Sequence, residues 1–179
     1  MIHLEPLEDQ DFEAIARWNE GKPKDFIVQW AGPQYEHPLT AGFLKSCHAG
    51  HNGPGASEHI YRVMLGDEMI GTVMLLKFDP ADNSAFVGRF LIGSPAHRGR
   101  GYGEQALREI VKLGFEDFKL AAVKLGVFDF NLGAIRCYEK VGFETYEFLP
   151  DAWQSESGPW GLYRMKITSY QWKAAEGCQ

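Results

Sequence analysis

The pattern of hydrophobic and polar positions predicts three consecutive β-strands in the middle of the chain. Residues 59–65 and 69–78 are rich in β-branched, aromatic and other apolar side chains, and a short turn at residues 66–68 separates them. A third strand is predicted at residues 84–92, after a turn at residues 79–83 that is rich in Asp, Asn and Pro. Because strands joined by short turns pair with one another, we expect an antiparallel meander here.

Helices and further strands are predicted on both sides of this meander. The elements before it are a strand at 3–7, a helix capped by Asp9 or Asp11 that runs toward Trp18, a break at 21–24 and a helix starting near 38–40. The elements after it are a helix from Gly103 to Phe118, a strand at 122–128, a helix at 131–141 and strands at 143–149 and 160–167. This order predicts an α+β (mixed α/β) domain around a mixed sheet.

Composition and charge narrow the class of protein. A length of 179 residues favours a single domain over residues 1–179, and 45% hydrophobic residues suffice for a core. With 24 acidic and 18 basic residues the net charge is −6, which argues against nucleic acid or an anionic membrane as a partner. No signal peptide and no apolar run of roughly 18 residues is seen. Cys47, Cys137 and Cys178 are too widely spaced to predict a metal site or a disulfide framework, so we expect a cytoplasmic protein.

A glycine-rich turn is the most informative segment. It joins the strand at 84–92 to the helix that follows, and Arg98 and Arg100 alternate in it with glycines at 99, 101 and 103. Bare backbone N–H groups, a helix N-terminus and two arginines form a site for a phosphate or pyrophosphate. The Lys-Ser/Thr of a Walker A loop is missing. The spacing from Gly101 to Ala106, with Asp129 downstream, formally matches the G-x-G-x-x-A fingerprint of a dinucleotide-binding fold. Two observations argue against this fold. Residues 94–100 separate the strand from the glycines, and too few residues follow the glycines for the further βα units that the fold requires.

Two motifs resemble the GCN5-related N-acetyltransferases (the GNAT superfamily), in the style of the RimI/RimJ-like branch that acetylates ribosomal proteins. The first is R-G-R-G-Y-G at residues 98–103, and the second is N-L-G-A-I-R-C-Y-E-K-V-G-F at residues 131–143. The resemblance covers about residues 60–143. It implies a GNAT-like fold, with a mostly antiparallel mixed sheet of about seven strands and about four flanking helices. It also implies acetyl-CoA as co-substrate, no metal, and direct attack by a primary amine in a ternary complex.

The resemblance also assigns roles to particular residues. Residues that would hold the pyrophosphate are Arg98, Gly99, Arg100, Gly101, Tyr102 and Gly103. The preceding strand would bulge or splay, so that backbone groups near Phe90, Leu91 and Ile92 bind the pantetheine arm. Asn131 would cap its helix or contact the cofactor. Tyr138 would protonate the departing thiolate, since a phenol with a pKa of about 10 is protonated at neutral pH; the alternative is a core-facing aromatic.

The general base and the acceptor site stay open at this stage. The strand at 84–92 contains no carboxylate and has Arg89 in its middle. Candidate bases, none singled out, are Asp79, Asp82, His97, Asp129, Glu139 and Glu147. Candidate residues for binding the acceptor amine are Trp30 and Tyr35 near the first helices, and Asp151, Trp153, Glu156 and Trp160 in the loop expected between the last two strands. The alternative is that these side chains only pack the loops against the domain.

The function expected from these residues is N-acetyl transfer. The acceptor would be a protein N-terminus or a small-molecule amine such as a polyamine, an amino acid or an amine antibiotic. A homodimer is compatible with this interpretation. The alternative is a non-catalytic acyl-CoA sensor or interaction module with the same fold, which the missing strand carboxylate favours and the intact Tyr138 and glycine turn disfavour.

Overall fold

A seven-stranded sheet runs through the described part of the chain, residues 1–176 of the computed structural model. Its strands are β1 (Ile2–Pro6), β2 (Glu58–Leu65), β3 (Glu68–Asp79), β4 (Ser84–Ile92), β5 (Ala122–Phe128), β6 (Glu144–Ser155) and β7 (Gly158–Thr168). They lie in the order β1-β2-β3-β4-β5-β7-β6, and only β4 and β5 pair in parallel. The predicted mixed, mostly antiparallel sheet and its meander are confirmed.

Six α-helices flank the sheet in these residues, two more than the four or so that the sequence predicts. They are α1 (Phe12–Trp18), α2 (Lys24–Ala31), α3 (Ala41–Cys47), α4 (Tyr102–Glu116), α5 (Leu132–Val141) and α6 (Ser169–Glu176). The helices missed are α2 and α6. The predicted break at 21–24 only separates α1 from α2, because Pro23 stands at the N-cap of α2 and a proline is tolerated at a helix start. The short α6 is anchored by the buried Trp172, which packs near Phe115.

The helices cover opposite faces of the sheet. Tyr61 and Val63 on β2 belong to a core that includes α4 and part of α5, whereas Ile60 belongs to a second core with α1, α2 and α3. Since successive side chains of a strand point to opposite faces, both faces of the sheet are covered. No helix within residues 1–176 is long and apolar enough to span a membrane. Cys47 and Cys137 are free thiols, and Cys178 lies outside the described residues.

The last two strands are longer than the sequence predicts. The expected loop between residues 149 and 160 is wrong: β6 and β7 form a long hairpin whose turn is residues 156–157. Asp151 and Trp153 therefore lie in β6, and Trp160 lies in β7. The register shifts between Leu149 and Trp153, and Asp151 has a φ of 54°. A bulge in the strand thus accounts for the residues that look like a loop in the sequence.

The parallel strands β4 and β5 separate after a short contact. They pair only from Ser84 to Phe86 with residues 122–124, although both strands continue. Asp82 bonds both Ser84 and Lys124 and so fixes the paired end. Further along, Thr72 of β3 pairs with Leu91 and Met74 pairs with Gly88, so β4 contains an extra residue. The bulge and the splay that the family resemblance implies are both present, and a gap opens between the two strands.

Substitution of Gly93 tests how the end of β4 is held. The amide of Gly93 donates a 2.8 Å hydrogen bond to the carbonyl of Ile70, and a Cβ at this position would lie 2.0 Å from Cδ2 of Trp18. We expect Gly93→Ala to lower the free energy of unfolding by about 1–3 kcal/mol in urea denaturation, because the strand end or the indole must move. Gly42→Ala, where a Cβ meets nothing within 4 Å, is the matched control. Equal stability of Gly93→Ala and wild type would contradict this packing.

Candidate active site

The gap between β4 and β5 forms a cavity of about 470 Å³. Its walls come from residues 87–92 of β4 and 125–127 of β5, and α2, α5 and the glycine-rich turn close its sides. Of the residues predicted to form the site, the structure brings together Phe90, Leu91, Ile92, Arg98, Gly99, Gly103, Asn131 and Tyr138. The predicted residues Arg100, Gly101 and Tyr102 stand in the turn beside the cavity without lining it.

The glycine-rich turn presents a helix N-terminus to the cavity. Gly101 is the N-cap of α4 with a φ of 78°, and Gly99 has a φ of 70°, both in the left-handed region that glycine tolerates. The first hydrogen bond of α4 runs from the amide of Gln105 to the carbonyl of Gly101 at 3.1 Å. The amides of residues 102–104 therefore have no intrahelical acceptor, and they carry the partial positive charge of the helix end. This end of the cavity suits an anion.

The guanidinium of Arg98, which is predicted to bind the pyrophosphate, is already hydrogen-bonded to the protein backbone. Its Nε donates to the carbonyl of Ile92 at 3.0 Å, and its Nη2 donates to the carbonyl of Gly93 at 3.1 Å. Its guanidinium also lies 5.7 Å from the centre of the Phe26 ring of α2. Arg98 thus ties the turn to the end of β4 and to α2 while its positive charge remains at the cavity wall.

The cavity side of β4 has backbone groups without a strand partner. Beyond Phe86, β4 no longer pairs with β5, and one edge of residues 87–92 faces the gap. The carbonyl of Ile92 is engaged by Arg98, but the other N–H and C=O groups on this edge have no ladder partner in β5. Backbone groups of this kind require hydrogen-bond partners when they are covered, which a ligand carrying amides would supply.

Helix α5 places Tyr138 and Asn131 on the opposite wall of the cavity. Burial raises the pKa of Tyr138 above its usual value, so its hydroxyl is protonated at neutral pH. The same ring packs against the core near Phe143, so the core-facing alternative and a position on the cavity are both realised. The side chain of Asn131 accepts a 3.3 Å hydrogen bond from the amide of Ala134, and it therefore caps α5 while lining the cavity.

Among residues 1–176, His97 is the one candidate general base that lines the cavity. Its Nε2 lies 3.7 Å from a carboxylate oxygen of Glu68, and its Nδ1 is buried with no hydrogen-bond partner in this part of the chain. Asp82 is bound to Lys124 at the closed end of the strands, and Glu147 pairs with Arg164 at 2.8 Å. The candidates outside the cavity wall are Asp79, Asp82, Asp129, Glu139 and Glu147.

Of the candidate acceptor residues, Trp30 lines the cavity and Tyr35 is buried behind it. Phe26 and Gln29 line the same wall, and the sequence does not single them out because it predicts no element between the break at 21–24 and the helix near 38–40. Residues 151, 153, 156 and 160 belong to the β6–β7 hairpin and lie outside the cavity wall. The turn of this hairpin contacts α2, where the amide of Glu156 donates to Asp25 at 3.3 Å.

A chain of buried and half-buried polar side chains leads to the cavity, and no motif in the sequence predicts it. The hydroxyl of Tyr35 and Nε2 of His48 are 2.5 Å apart, and Nδ1 of His48 contacts Glu58. The other carboxylate oxygen of Glu58 lies 3.8 Å from Nη1 of Arg89, which lines the cavity. His48 is 2% exposed, and burial lowers its pKa against the raising effect of Glu58. A neutral His48 accepts from Tyr35 and donates to Glu58. We refer to these four residues as the Tyr35–Arg89 chain.

The buried His48 predicts a pH dependence of stability. In the unfolded state a histidine takes up its proton near pH ~6.5, whereas in the folded state the lowered pKa of His48 keeps the ring neutral to a lower pH. Stability is therefore lost as the pH falls below about 6.5, by at most about 1.4 kcal/mol per pH unit. We expect His48→Gln to show a smaller loss than wild type in urea denaturation series from neutral to mildly acidic pH. The exposed His3→Gln is the control, and identical pH slopes for His48→Gln and wild type would contradict the assignment.

Comparison with known proteins agrees with this architecture. The family model described as acetyltransferase (GNAT) domain matches residues 2–144. The probable N-acetyltransferase YjcK of Bacillus subtilis (strain 168) is 41% identical over 78 residues, which is 43% of this chain and 42% of that protein, so less than half of the relative's length is matched.

Solved structures show the same fold. A crystal structure of spermidine N-acetyltransferase from Vibrio cholerae, in complex with CoA and spermine, superposes with a TM-score of 0.81 at 22% identity, covering 96% of this chain and 98% of that one. A dodecameric structure of spermidine N-acetyltransferase from the same organism gives a TM-score of 0.77 at 22% identity, covering 96% and 95%.

Proposed function

Since the chain belongs to the GNAT acetyltransferase family, we propose that it transfers an acetyl group from acetyl-CoA to a primary amine by direct attack in a ternary complex. The observation that carries the proposal is the arrangement around one cavity. A helix N-terminus suited to phosphate stands at one end, an unpaired strand edge runs along the wall, and a protonated tyrosine lies across from it. Binding of acetyl-CoA and transfer of its acetyl group to an amine can use each of these features.

The phosphate end of acetyl-CoA would lie at the start of α4. The free amides of residues 102–104 donate to the pyrophosphate, and Gly103 keeps this approach open because it has no side chain. Arg98 adds positive charge from the cavity wall, and the exposed Arg100 lies beside it. Gly99 and Gly101 allow the turn its left-handed backbone.

The thioester end would lie along β4. Unpaired backbone groups near Phe90, Leu91 and Ile92 bind the amides of the pantetheine arm, and an N–H at the bulge donates to the thioester oxygen as negative charge develops there. Attack by the neutral amine forms the new C–N bond, and the C–S bond then breaks. Tyr138 donates its proton to the departing thiolate.

We assign no side chain as the base that removes the proton from the amine. No carboxylate lines the cavity in the described part of the chain, and His97 stands in the turn next to the phosphate end. The amine enters in its neutral form, and its proton leaves through water.

The acceptor is a protein N-terminus or a small-molecule amine. The likeness of residues 131–143 to the RimI/RimJ-like branch supports a protein N-terminus. The solved neighbours are spermidine N-acetyltransferases, which supports a small amine, and a dodecamer among them is compatible with a homo-oligomer here. A cytoplasmic location remains part of this proposal.

Turnover with an amine panel tests the function. The protein is incubated with acetyl-CoA and, separately, with peptides, amino acids, polyamines and aminoglycosides, and free CoA thiol is measured alongside the acetylated product by mass spectrometry. We expect thiol release that depends on one class of amine. The missing strand carboxylate favours a second candidate, an acyl-CoA sensor. Binding of CoA in calorimetry without acetylation of any amine would support the sensor and contradict the enzyme.

A further inference from the structure

We propose that Arg89 selects acceptors that carry a carboxylate close to the reacting amine, such as amino acids or peptides with an acidic first residue. The inference rests on the proposed function and names the class of acceptor for the same cavity. Three observations carry it: the position of Arg89 at the bulge of β4, the unfilled hydrogen-bonding capacity of its guanidinium, and the charges that line the cavity.

Arg89 occupies the bulge at which β4 leaves its neighbours. It lies between Gly88 and Phe90, where β4 has an extra residue, and its φ of 47° is in the left-handed region. Such a backbone conformation is uncommon for a residue with a side chain, and the bulge in β4 accounts for it at this position. The guanidinium carbon lies 4.9 Å from the centre of the Tyr35 ring, which in turn contacts Trp30. Arg89 therefore lies at the Trp30 side of the cavity.

Contacts hold the guanidinium of Arg89 in place, but they do not use all of its hydrogen-bond donors. Its Nη1 is 3.8 Å from Glu58, which is long for a charged N–H···O contact, and it donates a 3.7 Å hydrogen bond to the sulfur of Met74, a weak acceptor. Its Nε is buried and has no hydrogen-bond partner among residues 1–176. Glu58 also accepts from His48, so it does not serve Arg89 alone. A guanidinium with unused donors at a cavity wall can bind a carboxylate through two parallel hydrogen bonds.

The rest of the cavity wall favours an anionic group on the acceptor. Its charged or titratable side chains within residues 1–176 include Arg89, Arg98 and His97 but no Asp or Glu. A polyamine would therefore meet the positive charge of Arg89 at the acceptor side, where the ion-pair partner of Arg89, Glu58, does not line the cavity. The pantetheine arm that would run along β4 is uncharged, so its binding does not require Arg89. An acceptor with its own carboxylate supplies hydrogen-bond acceptors beyond the contacts that the guanidinium makes with Glu58 and Met74.

The Tyr35–Arg89 chain explains why the guanidinium keeps this position. Nδ1 of His48 contacts Glu58 and orients its carboxylate, whose second oxygen lies 3.8 Å from Nη1 of Arg89. The ring of Tyr35 lies against the guanidinium group of Arg89. His51 and Cys47 are further titratable groups beside this chain, and no proton transfer through it is required for the proposal. Tyr35, His48 and Glu58 are thus positioning residues, and Arg89 is the group that meets the acceptor.

Matched acceptor pairs test the proposal. Steady-state rates are measured for peptide amides that begin with Asp or Asn, for pairs that begin with Glu or Gln, and for spermidine. We expect wild type to prefer the carboxylate member of each pair by about 10-fold or more in kcat/KM, a typical effect of a charged hydrogen-bonded pair. In Arg89→Gln this preference is lost, because the KM for the carboxylate member rises toward or above that of its neutral partner. Arg89→Lys keeps part of the preference, and the exposed Arg17→Gln keeps all of it.

Each outcome of this experiment decides between the proposals. Acetylation of both members of every pair at equal rates, or a preference of wild type for spermidine, overturns the role of Arg89 while leaving the acetyltransferase activity standing. An equal fall of kcat for all acceptors in Arg89→Gln also overturns it, because it assigns Arg89 to the reaction rather than to selection. Absence of acetylation of every amine by wild type overturns the proposed function itself. If Arg89→Gln does not fold, the wild-type preference and the Arg89→Lys variant decide the same question.

Discussion

Replacement of Tyr138 by phenylalanine is expected to lower kcat by about 100- to 10,000-fold, the range of a positioned general acid. Tyr138 lines the cavity from α5, across from β4, and burial raises the pKa of its hydroxyl, which is therefore protonated throughout the neutral range. Without it the thiolate leaves unprotonated, while the ring still packs against the core near Phe143. Affinity for CoA in calorimetry and the melting temperature should therefore remain close to those of wild type.

The control for this substitution is Tyr170→Phe, because Tyr170 is 82% exposed on α6. It removes the same hydroxyl group far from the cavity and should leave turnover unchanged. Unchanged turnover in Tyr138→Phe would remove Tyr138 from the reaction, and a loss of CoA binding that parallels the loss of turnover would make it a binding residue instead.

Replacement of Gly103 by valine is expected to weaken CoA binding by about 100-fold or more, corresponding to the loss of one or two charge-assisted hydrogen bonds. Gly103 is the second residue of α4 and lines the cavity, and its φ is ordinary for a helix. A Cβ there would meet no protein atom nearer than 4.0 Å, at Ile92 and Phe90. A Cβ therefore fits beside the protein atoms, and the branched side chain of valine extends into the space in which a phosphate would reach the amides of α4.

A matched position exists for this experiment in α3. Gly42 is also the second residue of its helix, and a Cβ there meets nothing within 4 Å. Gly42→Val should leave the Kd for CoA unchanged in calorimetry. Since a Cβ meets no close protein atom at either position, both variants should unfold at urea concentrations close to that of wild type. Tight CoA binding by Gly103→Val would place the phosphates elsewhere.

The sequence predicted best what depends on neighbouring residues. β4 and β5 begin and end as predicted, because short apolar runs bounded by turn residues are strong strand signals. The pyrophosphate turn and α5 were recognised because their residues are contiguous in the chain. The failures also have local causes. Residues 21–24 predict a break, but Pro23 is the N-cap of α2, and the segment around Asp151 predicts a loop where the structure has a bulge.

The acceptor side of the cavity could not be predicted because it is assembled from distant segments. The Tyr35–Arg89 chain joins residues from the segments after α2 and α3, from β2 and from β4, and nothing in the sequence relates them. Arg98 likewise looked like a free phosphate ligand, and only the path of the turn brings it against the carbonyls of Ile92 and Gly93. The net charge of −6 also gives no indication that the cavity is positively charged, since its wall carries arginines and, within the described residues, no carboxylate.

A crystal structure of the protein with CoA and the best amine from the panel tests the central claim most directly. The account predicts that CoA lies in the gap between β4 and β5, with its pyrophosphate on the amides of residues 102–104 and its sulfur within hydrogen-bond distance of the Tyr138 hydroxyl. The amine should lie between the sulfur and the wall formed by Trp30 and Arg89. CoA bound outside this gap, or a sulfur that points away from Tyr138, would contradict it.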